Sequence, residues 1–250
     1  MTFDQAIQTV SQFLRADEVD GDIAYDSIRL SFGQVNHYLR FLAMISDRNR
    51  GAVVEYEEAH LAMQSALRAR HSDDSIDLRP FSERSQSAYW NLHLDVESFY
   101  LFAKIMLSKV TLAIVTYFGQ ARGIKFKSHD ELSKNLEQFA LRKGLVLEPS
   151  FLKTAIQLKR EVVDYRDKRI EHLLDSTSYK ALNFGGTAST VVLLTKGDQA
   201  RESQQAPMQT LPITVLEESL CAYVELVLEC LAANRDKCRL RQDSKFEKGN

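Results

Sequence analysis

Structural punctuation is scarce in this chain: 250 residues contain only 10 Gly and 4 Pro. Both residues concentrate in turns, so this scarcity argues against many short strands and favours long helices. Cysteine is scarcer still. Cys221, Cys230 and Cys238 are too far apart for zinc-finger spacing, and the first two fall in an apolar helical run where buried, reduced thiols are expected. A cytoplasmic, reducing compartment fits that usage. Charge of one sign is not in excess either. The 32 Lys and Arg against 34 Asp and Glu give a formal net charge of −2, which excludes a polycation that coats nucleic acid with its whole surface. The N-terminus lacks the basic stretch and apolar run of a signal peptide. The longest apolar run, 99–118, carries Lys104 and Lys109 near its middle. It is expected as a buried central helix, with no membrane partner.

What is present is the composition of a soluble globular protein, 44% apolar and 26% charged. The charge is uneven along the chain. Residues 1–80 hold 8 Lys/Arg against 13 Asp/Glu, whereas 121–172 hold 12 against 8. A local basic surface is expected around the second stretch.

Helical periodicity predicts short helices over 2–15 and 34–47, separated by an acidic loop at 17–22, and a third over 51–71. Residues 75–86, with Pro80, read as a connector. A long helix follows, with Leu92, Val96, Phe99, Ala103, Met106, Val110, Ala113 and Tyr117 on one stripe. Leu94, Leu101, Ile105, Leu112 and Val115 cover another side, which predicts neighbours on more than one face. Gly119 and Gly123 stop it. Residues 130–143 form a further helix, acidic at its start and basic at its end. Pro149 opens one that is expected to run to about Leu174. The β-branched run 189–195 predicts a strand, paired as a hairpin with 208–213, before a last helix over 214–233. The charged residues 235–250 are expected to be disordered.

Within the Pro149 helix lies Tyr165-Arg166-Asp167-Lys168-Arg169-Ile170-Glu171-His172. Arg166 falls on the line Leu152, Ile156, Val163, Ile170, Leu174, where an apolar residue is expected. His172 flanks the neighbouring line Phe151, Ala155, Leu158, Val162, Tyr165, Arg169, Leu173. In an α-helix six residues separate the two by about 120° and roughly 9 Å, which an arginine side chain can bridge toward a shared ligand. An inward cation must find a partner or line a pocket. The pair suits phosphodiester chemistry, because histidine exchanges protons near neutral pH and arginine offers a permanent fork of donors to phosphate oxygens. Asp167 could orient either one. An ordinary reading stands beside this. Arg160, Asp164, Lys168 and His172 recur every four residues, as in a surface ion-pair ladder, and Asp95 or Glu97 could neutralise Arg166.

The block is similar to the signature of the HEPN superfamily (higher eukaryotes and prokaryotes nucleotide-binding), an arginine followed after four to six residues by histidine. The family often has a polar residue directly after the arginine, the place of Asp167 here. The segment 90–117 also resembles the helix that precedes the motif in bacterial members. The resemblance covers roughly 87–235. It implies an all-α, up-and-down bundle; the expected strands depart from that pattern and are taken as a small β insertion near 183–213, residues 1–80 as an N-terminal helical extension, and residues from 236 as a disordered tail. It also implies a metal-independent endoribonuclease of the toxin or phage-defence kind, a homodimer with Arg166 and His172 at the dimer cleft. RNA would be the substrate, an antitoxin or other regulatory protein a partner, and no cofactor is called for. The alternative is a non-catalytic helical module that binds a partner protein or a nucleotide.

Other candidates carry less. His93 and Glu97 share a face near Asp95, but no second cluster completes a metal site. His60, beside Glu57 and Glu58, reads as a solvated face. Gly185-Gly186-Thr187 lacks the lysine and the length of a phosphate loop. Asp164, Asp167 and Glu171 are interleaved with Arg and Lys, which favours local pairing over Mg²⁺. Tyr89 and Trp90 are expected as core anchors.

Overall fold

The computed structural model describes residues 2–16, 23–164, 167, 177–184, 187–195 and 213–239. The described residues are predominantly helical, as the low Gly and Pro content requires. The helices are α1 (Phe3–Ala16), α2 (Ile23–Arg70), α3 (Arg79–Phe118), α4 (His129–Lys143), α5 (Pro149–Leu158) and α6 (Ile213–Ala233). A π-helical turn, Lys159–Asp164, continues α5.

Two expected boundaries are corrected. The helices expected over 34–47 and 51–71 are one helix, α2, of 48 residues. Gly51 does not break it, since a glycine inside a helix costs only about 1 kcal/mol against alanine. The connector expected over 75–86 is shorter, because α3 already begins at Arg79 with Pro80 in its first turn. A proline there forfeits no hydrogen bond.

The chain divides into two compact units. The first comprises Met1–Ala43, Tyr100–Arg166 and Thr214–Asn250. Its core collects Phe3, Ala6 and Val10 from α1, and Ile28, Phe32, Val35, Leu39 and Leu42 from α2, at alternating steps of four and three. The predicted stripe of α3 is buried here from Ala103 to Tyr117. The second face of α3 differs from expectation. Leu101 and Leu112 are exposed, and the additional buried line is Tyr100, Leu107 and Ile114. The apolar part of α3 is long enough by composition to cross a bilayer, and half of it is buried within the protein.

Helix α4 has the ends its sequence predicts. Ser128 caps it through a 3.4 Å bond from the Glu131 amide, and Gly144 closes it at φ 63°. Asn234, just beyond α6, is 2% exposed. Its Oδ1 accepts the Val146 amide at 2.7 Å, and its Nδ2 donates to the Val146 and Cys230 carbonyls at 2.8 Å each. That clamp ties the α4–α5 loop to the end of α6. Arg235–Lys237 then form a 3-10 turn and Cys238 is buried. Residues 240–250 of the expected tail lie outside the described residues.

The second unit comprises Met44–Phe99 and Asp167–Ile213. Arg84 reaches Glu55 at 2.8 Å and Glu58 at 3.3 Å, and Arg48 pairs with Asp95. As α2 advances α3 recedes, so the two run antiparallel. Alanines fill much of this interface, with Ala59, Ala66 and Ala88 buried beside Tyr56, Leu92 and Phe99. Trp90 is not the core anchor expected of it, being 58% exposed. Two strands, β1 (Thr177–Phe184) and β2 (Thr187–Thr195), pair antiparallel, with Thr177 opposite Thr195 and Ala181 opposite Val191. The partner of β2 is thus the segment before it. Of the expected partner 208–213, only Ile213 is described, and it begins α6.

Candidate functional site

Pro149 opens α5 at a position that has no amide to lose. The inward line of α5 is Phe151, Ala155, Leu158 and Val162, each at most 1% exposed. The neighbouring line, on which the sequence sets Arg166, is buried at Val163 but not in its first turns. Leu152 and Ile156 are half-buried and line a shallow groove of about 530 Å³ with Lys153, Gln157, Arg160 and Glu161. An apolar floor with polar and cationic walls results.

The helix changes its winding before the motif. Over Lys159–Asp164 the hydrogen bonds step from i→i+4 to i→i+5, which accommodates an additional residue per turn. Val162 and Val163 of this turn are both buried. Asp164 takes Lys159, five residues before it, at 3.0 Å, where the sequence suggested a partner four residues away. Lys159 also lies 3.4 Å from Asp130 of α4, which holds Lys134 at 2.6 Å. The bond to Asp164 leads in raising the Lys159 amine above its ordinary range. Burial works to raise the Asp130 carboxyl, but Lys134 and Lys159 outweigh it and hold the group low. This chain of charges fixes the turn against α4.

Of the three predicted site residues, Asp167 is described. It has π-helical bonding and is half-buried. Arg166 and His172 lie outside the described residues. The 120° and 9 Å separation assumed α geometry, which the helix has already left by Lys159. The acids suggested as structural partners of Arg166 hold other groups. Asp95 is 2% exposed and receives Arg48, while Glu97 stands 3.2 Å from His93 Nδ1. Among the described residues no third metal-ligating side chain joins His93 and Glu97.

Beneath α5 lies a polar group that sequence reasoning missed. His129 is 1% exposed, with Nε2 at 3.1 Å from the Ala155 carbonyl and Nδ1 at 3.4 Å from the Tyr223 hydroxyl. A carbonyl only accepts, so Nε2 carries the proton, Nδ1 accepts, and Tyr223 donates. Burial pushes the imidazole down to about 4, and it also pushes the Tyr223 hydroxyl well up. His129 is therefore neutral near pH 7 and serves as a buried strut between α4, α5 and α6. Its position at the first residue of α4 carries no sequence signal of burial, because the inward face there is set by α5 and α6.

No family model, curated protein or solved structure matches this chain.

Proposed function

We propose that the protein is a metal-independent endoribonuclease of HEPN type, a cytoplasmic homodimer acting as a toxin or phage-defence effector. The β1–β2 ribbon is read as an insertion before the last helix of the bundle. The reading rests on the Arg166-Asp167…His172 block following directly on a π-helical turn in a mainly helical chain. Such turns are rare and recur at functional sites, where they re-aim side chains that α winding would hold elsewhere. In the reaction a ribose 2′-oxygen attacks the adjacent phosphorus. The 2′-O–P bond forms, the P–O5′ bond breaks, and a cyclic phosphate and a 5′-hydroxyl result. His172 moves the proton from the attacking to the leaving oxygen, Arg166 stabilises the equatorial oxygens, and Asp167 orients them. An antitoxin or other regulatory protein would hold the activity in check.

The alternative, a non-catalytic module in which Arg166 is a structural cation, named Asp95 or Glu97 as its partner. Among the described residues Arg48 and His93 engage those acids, and Arg166 lies outside the described residues. Total RNA incubated with the purified protein in EDTA provides the test. Wild type should cleave, with His172→Ala slower by about 10²–10⁴-fold and Arg166→Ala by about 10²–10³-fold. Equal cleavage by wild type and the double variant would exclude the assignment.

A further inference from the structure

The ends of α3, α4 and α6 gather cations far beyond what the helices themselves require. Segments 119–127, 140–146 and 234–239 together contain eight lysines and arginines against one acid, Asp236. They converge on the loop after α3, all within the first unit. Lys143 Nζ donates to the Phe118 carbonyl at 2.8 Å, capping α3, and Arg142 donates to the Arg122 carbonyl. A Cβ on Gly119 would lie 3.4 Å from both Lys143 Nζ and Arg239 Cδ, and one on Gly144 would lie 4.0 Å from Lys237 Cε. Gly119 and Gly123 hold φ at 71° and 75°, so this loop keeps its backbone close under the cationic side chains.

Helix dipoles explain part of this, since a cation is favoured at each C-terminus. Lys143 meets that need at α3. Arg122, Arg142 and Arg239 are exposed at this end of the unit, and Lys237 holds Asp236 at 3.0 Å. At Lys143, burial first and the charge of Arg239 second hold the amine below its ordinary range. A surface with this excess of cations attracts an anionic partner. A guanidinium has five N–H donors, and Arg142 spends one on the Arg122 carbonyl, leaving a fork for phosphate oxygens.

We propose that Arg122, Arg142, Lys143, Lys237 and Arg239 form an anchoring surface for the phosphate backbone of single-stranded RNA. The choice of RNA over other polyanions rests on the ribonuclease reading. The surface would hold the strand without reading its sequence, because phosphate contacts position and do not specify.

The test uses the full chain and a labelled 2′-O-methyl RNA of about 20 nucleotides, which lacks the attacking hydroxyl. Binding is followed by anisotropy from about 50 to about 300 mM KCl. For a single strand each lost phosphate contact reduces the slope of log K against log [salt] by roughly 0.7. Arg122→Gln/Arg239→Gln should therefore flatten the slope by about 1.4 and weaken binding about tenfold or more at low salt. Arg29→Gln/Arg79→Gln, two exposed arginines elsewhere, should change neither. If the double variant loses its helical circular dichroism, Arg122→Gln alone serves, with a slope change of about 0.7. An unchanged slope and affinity overturns the proposal, as does competition by polyglutamate as effective as by unlabelled RNA. The two readings fail separately. Slope changes with cleavage indifferent to His172→Ala would remove the ribonuclease and leave the anchor, whereas His172-dependent cleavage with an unaltered slope would remove only the anchor.

Discussion

The Asn234 side chain makes three hydrogen bonds to backbone groups. Its carboxamide satisfies both polar groups of Val146 and one carbonyl of its own helix, in a place 2% exposed. Truncation leaves an amide and a carbonyl of the α4–α5 loop without their partner, each orphaned group costing about 1–3 kcal/mol. Asn234→Ala should thus lower stability by about 2–4 kcal/mol, seen as a fall in the urea midpoint at unchanged slope. Asn234→Asp should be no better, since it loses both donated bonds and buries a carboxylate. A midpoint within experimental error of wild type would show that the loop is held by other contacts. The sequence flags none of this, because an asparagine after a helix reads equally well as a solvent-exposed stop.

At the level of elements, α2 offers the clearest test. Gly33 and Gly51 both lie inside it, and a Cβ at either position would meet nothing within 4 Å. Neither has a positive φ, so the added methyl is unstrained and mainly restricts the unfolded chain. Gly33→Ala and Gly51→Ala should each stabilise by about 0.4–1 kcal/mol, measured as a rise in thermal midpoint. A loss at Gly51 would argue for the break that its composition suggested. The same helix illustrates what a sequence can and cannot tell. One buried stripe was legible on α3, where apolar residues keep strict spacing over several turns. The ends of α4 were legible from the acids at its start and from Arg142, Lys143 and Gly144 at its end, whereas the Ser128 cap was not read. The unity of α2 was not, since continuity through Gly51 depends on tertiary packing rather than local preference. Nor was the π turn, because nothing in Lys-Arg-Glu-Val-Val-Asp distinguishes i→i+5 from i→i+4 bonding until Lys159 finds Asp164 and Asp130. Of the candidate site, Asp167 is described, while Arg166 and His172 lie outside the described residues. On the line expected to face inward, Leu152 and Ile156 proved to line a groove, because α5 buries its Phe151 side instead, and Val163 alone of the described members is buried.

For the whole molecule the sharpest dependence is on acid. His129 is buried neutral, facing the Tyr223 hydroxyl and the Ala155 carbonyl, with Asp130 next to it in sequence. Its ordinary value of 6.5 falls to about 4 in the folded chain, with burial the main cause. The unfolded chain therefore takes up the proton first. Stability is complete above pH 6.5, declines as pH falls through the window down to about 4, and loses nothing more from this group below it. At roughly 1.36 kcal/mol per unit, the interval amounts to about 3 kcal/mol. Raised carboxylate stability from Asp130 belongs to a separate, lower window, since its folded value lies below the ordinary 3.8. The check is a series of urea titrations between pH 7.5 and pH 4, in wild type and in His129→Gln. Glutamine can still donate to the Ala155 carbonyl but cannot titrate, so its stability should be flatter across the window even if lower throughout. Parallel curves for the two proteins would mean that the acid sensitivity arises elsewhere, and that His129 is not the strut joining α4, α5 and α6.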